Sequence, residues 1–499
     1  PTLESDGHSV PGPTKQSEAT QPSDDLPGDQ VSLLVAVPYG ADAAELLRLL
    51  FLARTSGQLP AVENQLIGQY VQASDLALYD GPLRIDLQTV SASAGASAAQ
   101  ISVWQATAQM PDVLYLREAV RTPGLDQLLD LHERVYDAML LSGGHIFGEI
   151  LAGMQVNQTL YGIPYLGSTP LVYYNQKLLD QYLGEPPLLN QTWDEWLNML
   201  TQLQKRISQT GHGATWTDLV TYGENTQERN DHLQQTVFLL ENPVDFLPFI
   251  PASMTLDSGW AMWQGRSFDF ADPAFKMSAD WLRLQVQKGY SPWHLTYQDR
   301  LTALKLDSAR TDSRTLFWVG DSTDLSAWHQ QSDLVVSEIL MPAGFTEFPA
   351  SGAPALTHAD QQWLMQRLPV EIRSLAISKT SRQPELAVAF AAFLALDPDA
   401  LLLQSRFQLY EGLFPVVQNQ AVWEAMVGRQ PFGHILLTIK ERMPYAYCSG
   451  RQLLASWDAT INQVYRQLGA RYLSMTDPSG LTPLLEDISR AVPRILAEE

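Results

Sequence analysis

Apolar and polar positions alternate between strand-like and helical spacing along the first quarter of the chain. Residues 31 to 37 form a short apolar run, and residues 83 to 90 alternate as a half-buried strand does. Residues 112 to 116 (DVLYL) have the pattern of a short buried strand. The stretches 43 to 53 and 98 to 110, which lie between these runs, have helical spacing. This order predicts a β-α-β-α-β unit, which is typical of an α/β fold with parallel strands in one sheet.

Two tyrosines and one arginine lie where the predicted strands end. Tyr39 follows the first strand, Tyr115 lies in the third strand, and Arg117 follows the third strand. Ligands of α/β sheets bind at the carboxyl ends of the strands. Tyr39, Tyr115 and Arg117 are therefore candidate ligand-binding residues. The guanidinium group of Arg117 also suits an anionic ligand, although a surface ion pair is the more common arrangement for an arginine.

The segment from Leu160 to Asn175 has two strand-like halves around a centre with two prolines and a glycine. Because these residues exclude a helix, we expect the segment to cross from one part of the fold to another. Tyr165, Gly167 and Ser168 lie in this centre, where small residues allow a ligand to approach the backbone. They are further candidates for ligand contact.

Helical spacing returns after this segment. Thr192 and Glu195 form a capping-box pattern, which predicts that a helix begins here and extends to about residue 207. We assign this helix to a second lobe. The later predicted elements are helices at residues 276 to 288 and 384 to 396 and strands at residues 315 to 320 and 374 to 378.

The composition is that of an acidic, folded protein. The chain has 499 residues, of which 45% are hydrophobic, enough for a large core. Its 55 acidic and 32 basic side chains give a formal net charge of −23, which repels phosphate backbones, so nucleic acid is not expected as a partner. The single cysteine, Cys448, allows neither an intrachain disulfide nor a thiolate metal cluster. None of the nine histidines has another three or four residues away, and we expect no cofactor and no metal.

Residues 1 to 29 are rich in proline, serine, glycine, threonine and acidic residues, and they lack apolar periodicity. Such a composition cannot offset the entropy lost on ordering, so this segment is predicted to be a disordered tether. A tether suits a protein held at a membrane surface. We expect a lipid anchor on the N-terminal side of Pro1 to be the only membrane attachment, because no later stretch reaches about 18 uninterrupted apolar residues.

Two passages near the centre of the chain form its most specific motif. The first consists of residues 160 to 165 (LYGIPY) and 171 to 179 (LVYYNQKLL), and the second of residues 192 to 196 (TWDEW) after Pro187. Their order and spacing resemble those of the family 1 extracellular solute-binding proteins, the group that includes maltose-binding protein. Weaker similarities extend the resemblance to about residues 30 to 430.

The resemblance implies an α/β, two-lobed periplasmic-binding-protein-like fold. Each lobe would be a mixed sheet flanked by helices, and crossing segments would form the hinge. Residues 30–145 and about 330–385 are expected to form lobe one. Residues of about 170–325 and 386–499, including the C-terminal helices, are expected to form lobe two.

Aromatic residues are abundant, with 13 tryptophans in the chain. Aromatic rings stack on the apolar faces of sugars. Trp260, Trp263 and Trp318 lie in segments that the resemblance places near the cleft, and Asp321 is a candidate acceptor for sugar hydroxyls. Phe414 lies in a GLFP segment that is similar to a loop of the family. For each of these residues alone, core packing or helix capping is the alternative interpretation.

The resemblance also implies a non-catalytic function. The chain is interpreted as the extracytoplasmic, periplasmic or cell-surface solute-binding subunit of an ABC importer, a monomer that brings a small molecule, a sugar or oligosaccharide, to membrane permease subunits. The sequence lacks nucleophile-elbow, P-loop and zinc-protease motifs. The alternatives are binding of another solute (a polyol, phosphorylated sugar, polyamine or peptide), a sensory role, and a secreted carbohydrate-active enzyme with two distant carboxylates.

Overall fold

A computed structural model provides the fold of the chain. It describes residues 31–38, 45–51, 83–90, 98–117, 127–155, 158–213, 235–246, 249–253, 273–291, 314–329, 335–346, 356–406, 412–428, 431–448 and 478–497. The segment predicted to be a tether, residues 1–29, lies outside these ranges.

The described residues contain two β-sheets and the helices that flank them. The strands are β1 (Val31–Val37), β2 (Leu83–Thr89), β3 (Val113–Leu116), β4 (Ile163–Ser168), β5 (Pro170–Asn175), β6 (Phe238–Leu240), β7 (Thr315–Asp321), β8 (Val336–Leu340), β9 (Leu368–Ile377), β10 (Phe414–Pro415) and β11 (Ala446–Cys448). The helices are α1 (Ala98–Ala106), α2 (His132–Ser142), α3 (Gly148–Gly153), α4 (Gln176–Tyr182), α5 (Trp193–Gln209), α6 (Phe249–Ala252), α7 (Pro273–Gln287), α8 (Leu325–His329), α9 (His358–Leu364), α10 (Pro384–Leu396), α11 (Pro398–Arg406), α12 (Gln420–Val427), α13 (Gly433–Arg442) and α14 (Leu481–Ala497). No single helix among those described has the length and hydrophobicity of a membrane span. Helices α10 and α11 reach that length and hydrophobicity only when taken together, and the pair is bent by 58°.

The first sheet has seven strands in the order β10-β4-β9-β3-β1-β2, and β11 also pairs with β9. β1 pairs in parallel with β2, from Val31 opposite Leu83 to Val37 opposite Thr89. β1 also pairs in parallel with β3, at Val35. Residues 45–51 are helical between β1 and β2, and α1 lies between β2 and β3. The predicted β-α-β-α-β unit is therefore confirmed.

The long strand β9 joins the two halves of the first sheet. It runs antiparallel to β3 and to β4, and all ten of its residues are buried. The sequence predicted a strand only for residues 374 to 378, whereas β9 begins at Leu368. The difference arises because Glu371 and Arg373 interrupt the apolar pattern, although both side chains are buried in polar contacts.

The second sheet has four strands in the order β6-β7-β5-β8. β5 runs antiparallel to β7 and β8, and β6 runs parallel to β7, so this sheet is also mixed. β4 of the first sheet ends at Ser168 and β5 of the second begins at Pro170, so only Thr169 separates them. The prediction that this segment crosses between two parts of the fold is confirmed.

Helix α5 contributes its apolar face to the hydrophobic core of the second sheet. The predicted capping box is present, because Oε2 of Glu195 accepts the N–H of Thr192 at 2.8 Å and Oγ1 of Thr192 accepts the N–H of Glu195 at 3.4 Å. The apolar face of α5 buries Trp193, Trp196 and Leu200. Full burial of a large apolar side chain contributes about 1.5 to 3 kcal/mol to the stability of the fold.

The division of the chain between the lobes differs from the expectation in two places. Residues 330–385 were assigned to lobe one, but β8 within this range pairs with β5 of the second sheet. Residues 386–499 were assigned to lobe two, but α10 packs against α2 and β4. A short strand such as β8 does not reveal from its own sequence which sheet it joins. α10 follows β9 after a short turn, and consecutive elements usually pack as neighbours, so it covers the first sheet.

Candidate ligand-binding site

The carboxyl ends of three strands meet where the chain crosses between the sheets. Ser168 is the last residue of β4, and Asp321, the last residue of β7, lies opposite Pro170 of β5. β3 and β4 both run antiparallel to β9, so β3 ends at the same edge of the first sheet as β4, and Arg117 follows it. Because only one residue separates β4 from β5, this edge lies beside the edge of the second sheet at which β7 ends.

A chain of hydrogen bonds joins the two sheets in this region. Nη1 of Arg373, on β9, donates to Oγ of Ser168 at 2.6 Å. Oγ of Ser168 donates in turn to Oδ2 of Asp321 at 2.9 Å. Oδ1 of Asp321 accepts from the backbone N–H and the hydroxyl of Thr323 at 2.9 and 2.8 Å. The carboxylate of Asp321 is therefore held in one orientation by three hydrogen bonds.

An ion pair lies beside this chain of hydrogen bonds. Nη2 of Arg117 is 2.7 Å from Oε2 of Glu371. The Glu371 side chain is 4% exposed and the Arg117 side chain is 37% exposed. Ser168 lies opposite Glu371 in the pairing of β4 with β9. A buried carboxylate is costly without a cation, so the ion pair keeps the guanidinium group of Arg117 beside Glu371, the residue opposite Ser168.

Burial alters the acid–base properties of the site. It raises the pKa of Asp321 above the usual range, while Arg373 opposes this increase and Glu371 adds to it. Burial also raises the pKa of Tyr115, against the opposing effects of Arg373 and Arg117. Tyr115 therefore remains neutral at physiological pH. The cluster contains two guanidinium groups and two carboxyl groups, so its formal charges balance when both carboxyl groups are ionised.

Solvent reaches only part of this cluster. All of β3 is buried, whereas Arg117 directly after it is partly exposed. β7 is buried from Thr315 to Trp318 and partly exposed from Val319 to Asp321. Ser168 and Arg373 are almost fully buried. The arrangement thus leaves the Arg117 guanidinium group partly exposed and places Asp321 at the partly exposed end of β7, and their partners Glu371 and Ser168 are buried.

The structure brings three predicted site residues together: Arg117, Ser168 and Asp321. Tyr115 is close enough to Arg117 for their charges to interact. The predicted residues Tyr39, Trp260 and Trp263 lie outside the described residues. Within the described residues, no group of three or more His, Cys, Asp and Glu side chains is arranged to hold a metal ion.

Three other candidates lie in the core of the first sheet. Tyr165 is fully buried, and its hydroxyl donates to the side chain of Gln404. Phe414 is also fully buried and stacks on Trp423, with ring centroids 5.9 Å apart. Gly167 lies directly beneath Phe414, where a Cβ would approach the ring to 2.6 Å. This arrangement differs from the expected ligand contact. The side chains of Tyr165 and Phe414 pack against neighbouring elements, and Gly167 lies against the ring of Phe414.

Trp318 also lies in a core. Its side chain is 1% exposed, and its ring stacks on Tyr173 at a centroid distance of 6.2 Å. Trp328 packs against it at 5.3 Å. The sequence placed Trp318 next to a turn at Gly320, but the partly exposed end of β7 begins one residue after Trp318. In this arrangement the indole has no free face for a ligand.

Glu371 and Arg373 are site residues that the sequence analysis did not identify. They occupy alternate positions in a strand that is otherwise apolar (LPVEIRSLAI), so both face the same side of the sheet. Two opposite charges at this spacing inside an apolar strand are a signal of a buried polar site.

A family model described as "Bacterial extracellular solute-binding protein" matches residues 83–299. This range includes both passages of the motif at residues 160 to 196. The resemblance to the family 1 extracellular solute-binding proteins is confirmed. No curated protein sequence matches the chain.

Solved structures extend the similarity to the solute-binding proteins over nearly the whole chain. The sugar-binding protein MalE from Xanthomonas citri has a TM-score of 0.60 at 13% identity, over 94% of this chain and 98% of its own. A substrate-binding protein from Listeria monocytogenes in complex with cycloalternan has a TM-score of 0.57 at 11% identity, over 94% and 100% of the chains. UgpB from Mycobacterium tuberculosis, in complex with glycerophosphocholine, has a TM-score of 0.55 at 16% identity, over 94% and 99%. These similarities confirm the predicted two-lobed fold.

Proposed function

We propose that this protein is the extracytoplasmic solute-binding subunit of an ABC importer and that it binds a sugar or oligosaccharide between its lobes. The observation that carries the proposal is the meeting of Arg117, Ser168 and Asp321 at strand ends of both sheets. A ligand in this region touches both lobes at once, which is the arrangement that couples binding to closure.

The charge balance of the site favours a neutral ligand. With both carboxyl groups ionised, Arg117 and Arg373 are matched by Glu371 and Asp321, and a charged ligand would add an unmatched charge to a partly desolvated region. A sugar instead offers hydroxyl groups, which accept hydrogen bonds from Arg117 and donate them to Asp321. Two of the similar structures are a sugar-binding protein and a protein in complex with cycloalternan, which is consistent with this ligand class.

An anionic solute is the second candidate, because the guanidinium group of Arg117 is 37% exposed and could bind phosphate oxygens. The similar protein from Mycobacterium tuberculosis is in complex with glycerophosphocholine. The ion pair with Glu371 disfavours this candidate, since a phosphate that takes over Arg117 leaves a nearly buried carboxylate without its cation.

Ligand binding is proposed to act by shifting the protein from an open to a closed arrangement. A ligand that contacts both lobes binds the closed arrangement better, so it increases the closed population. The permease subunits in the membrane would recognise the closed form. No covalent step is required, and we therefore propose a non-catalytic role. We further propose that the protein acts as a monomer on the outer side of the membrane, attached through a lipid at its N-terminal side.

Thermal unfolding of the purified protein with a panel of solutes tests the proposal. The panel contains neutral oligosaccharides, monosaccharides, polyols, glycerophosphodiesters, polyamines and peptides. A ligand at 100 times its Kd stabilises the protein by about 2.7 kcal/mol, which produces a clear increase in Tm. Stabilisation by a neutral sugar supports the proposal, and stabilisation by a phosphodiester alone supports the second candidate. Sustained hydrolysis of a sugar, or stabilisation only by polyamines or peptides, contradicts the proposal.

A further inference from the structure

The hydrogen bonds that lead from Arg373 to Asp321 can run in only one direction. A guanidinium group has donors and no acceptor, so Nη1 of Arg373 donates to Oγ of Ser168 at 2.6 Å. The hydroxyl hydrogen of Ser168 is then directed to Oδ2 of Asp321, 2.9 Å away. The other oxygen of the carboxyl group, Oδ1, accepts the backbone N–H of Thr323 at 2.9 Å, and this donor cannot be reversed either. Both oxygens of Asp321 therefore face donors, which suits the ionised form.

The carboxyl group of Asp321 keeps one acceptor position for a further donor. An ionised carboxyl group accepts about four hydrogen bonds, about two at each oxygen. Oδ1 accepts both the N–H and the hydroxyl of Thr323, whereas Oδ2 accepts only the hydroxyl of Ser168 among the residues that the structure describes. The position that remains on Oδ2 suits a single hydroxyl group of a ligand. A protonated Asp321 would bring a hydrogen of its own, and the site would lose its charged acceptor.

The charged groups around Asp321 act on its pKa in opposite directions. Burial raises this pKa, Arg373 gives the strongest opposing effect, and Glu371 adds to the increase. Oδ2 of Asp324 accepts the backbone N–H of Asp321 at 3.0 Å, and the hydroxyl of Tyr173 donates to the Asp321 carbonyl at 2.7 Å. Burial raises the pKa of Tyr173, so its hydroxyl stays neutral. The ionisation of Asp321 therefore depends strongly on the guanidinium group of Arg373.

Arg373 lies behind the site and not in it. Its side chain is 2% exposed, and that of Ser168 is 0% exposed. Nη1 of Arg373 also donates to the carbonyl of Glu371 at 3.2 Å, which fixes the guanidinium group on β9. The carboxylate of Glu371 pairs with Arg117. Arg373 can thus influence a ligand only through Ser168 and Asp321.

We propose that Arg373 acts through Ser168 as a positioning residue that keeps Asp321 ionised, so that the ligand site offers a charged acceptor at neutral pH and loses it on acidification. This inference rests on the proposed function, because the acceptor matters only if a ligand binds there. Affinity for a sugar is then present above the pH at which Asp321 takes up a proton, and it decreases as the pH falls through this value. Without Arg373 the decrease begins at a higher pH.

The ionisation of Asp321 can be measured in the ligand-free protein. Carbon-13 at the γ position of aspartate gives a carboxyl signal that moves with protonation, and Asp321→Asn identifies the Asp321 signal by removing it. Arg373→Gln removes the positive charge, whereas Arg373→Lys keeps it. Arg134→Gln is the matched control, because it removes an arginine that pairs with Glu385 on the surface.

The signal of Asp321 is expected to titrate above the usual range of an aspartate in the wild type, because burial raises its pKa. In Arg373→Gln the midpoint is expected to lie about one pH unit higher still, since a nearby opposite charge lowers a carboxyl pKa by about 1 to 3. Arg373→Lys and Arg134→Gln should titrate close to the wild type. An unchanged midpoint in Arg373→Gln, or an equal increase in Arg373→Lys or Arg134→Gln, would overturn the proposal.

Ser168→Ala provides a second test if Arg373→Gln does not fold. It removes the hydroxyl that donates to Oδ2 of Asp321, so the midpoint of Asp321 should again lie at a higher pH than in the wild type. The same midpoint as in the wild type would contradict a role of Ser168 between Arg373 and Asp321.

The consequence for the ligand is measured with the neutral oligosaccharide of the panel that raises the Tm most. Its affinity is expected to decrease by about tenfold to a hundredfold as the pH falls through the midpoint of Asp321, the effect of losing a hydrogen bond to a charged group. Ser168→Ala should move this decrease to a higher pH. Constant affinity through the midpoint would overturn the role of Asp321 as the acceptor. If no sugar binds, the proposed function fails, and the carboxyl titration still decides whether Arg373 controls the ionisation of Asp321.

Discussion

Oε1 of Glu338 lies 3.2 Å from Nε2 of His434, across the contact between β8 and α13. On the other side of the carboxyl group, Oε2 lies 3.4 Å from Nε2 of His329 on α8. The Glu338 side chain is 1% exposed, and within the described part of the chain no lysine or arginine pairs with it. Burial raises the pKa of Glu338 to about 7 and lowers the pKa of both histidines.

Glu338→Gln is expected to change how stability depends on pH. The folded protein keeps a proton on Glu338 that the unfolded chain releases, because burial raises the pKa from 4.5 to about 7. The contribution of this proton to stability is present at low pH and is lost as the pH rises through this window. Glutamine does not titrate, so the stability of the variant minus that of the wild type should increase by about 2 kcal/mol from roughly pH 5 to 7.5. Denaturant unfolding at a series of pH values measures this difference.

Glu385→Gln is the matched control for this experiment. Glu385 is 75% exposed and lies 2.6 Å from Arg134 on the surface, so its loss should change stability little and equally at all these pH values. His329 and His434 are present in the wild type and in both variants. Because their pKa values are lowered, their contribution to stability changes with pH in the opposite direction to that of Glu338. This contribution is largely removed when the stability of the wild type is subtracted from that of a variant. A constant difference between Glu338→Gln and the wild type would contradict a raised pKa of Glu338.

Local patterns in the sequence predicted the elements well where the signal lies within the element. The capping box of Thr192 and Glu195 is one example, and the three parallel strands β1 to β3 are another. Glu371 and Arg373 could not be recognised as strand residues in the same way. Their burial depends on Arg117 and Ser168, which come from distant parts of the chain, and no local pattern reports such partners.

Arg117→Gln is expected to weaken binding of the sugar by about tenfold to a hundredfold, because hydrogen bonds from charged groups contribute about 1.5 to 3 kcal/mol. Arg134→Gln is the control, since Arg134 also pairs with a glutamate but on the helix surface, 38% exposed. Isothermal titration of both variants measures the effect. An unchanged Kd for Arg117→Gln, or the same loss for both variants, would remove Arg117 from the ligand site.

Trp318→Ala is expected to lower the free energy of unfolding by about 3 to 5 kcal/mol, the usual loss for truncating a buried aromatic residue. Trp318→Phe should lose much less, because it retains a ring to pack on Tyr173 and Trp328. Denaturant unfolding of the two variants measures these losses. Nearly unchanged stability of Trp318→Ala together with lost sugar binding would contradict the core position and restore the stacking role expected from the sequence.

The sequence did not reveal that Trp318 faces a core because the orientation of a strand residue depends on its partner strands. Trp318 lies opposite Tyr173 in the pairing of β5 with β7, and the two rings share one face of the sheet. A shift of the pairing by one residue would turn Trp318 to the other face. The apolar run TLFWVG fits both orientations, and only the pairing of the strands selects one.

Gly412→Ala is expected to destabilise the protein more than Gly184→Ala, although both glycines have nearly the same positive φ. Gly412 has a φ of +84° and Gly184 a φ of +80°, so alanine is strained by about 1 to 2 kcal/mol at both positions. No atom lies within 4 Å of a Cβ on Gly184, whereas a Cβ on Gly412 meets the carbonyl oxygen of Ser322 at 1.8 Å.

The clash at Gly412 involves backbone atoms and cannot be relieved by rotating a side chain. The chain around Ser322 must move, which adds about 1 to 3 kcal/mol, as overpacking does in a core. Denaturant unfolding of the two variants isolates this extra cost, because the strain of alanine at a positive φ is common to both. The movement would also disturb the hydrogen bond from Ser322 to the Gly412 carbonyl, so Gly412→Ala should bind the sugar more weakly while Gly184→Ala retains the wild-type Kd. Equal losses of stability in the two variants would show that Ser322 and Gly412 are not held in close contact.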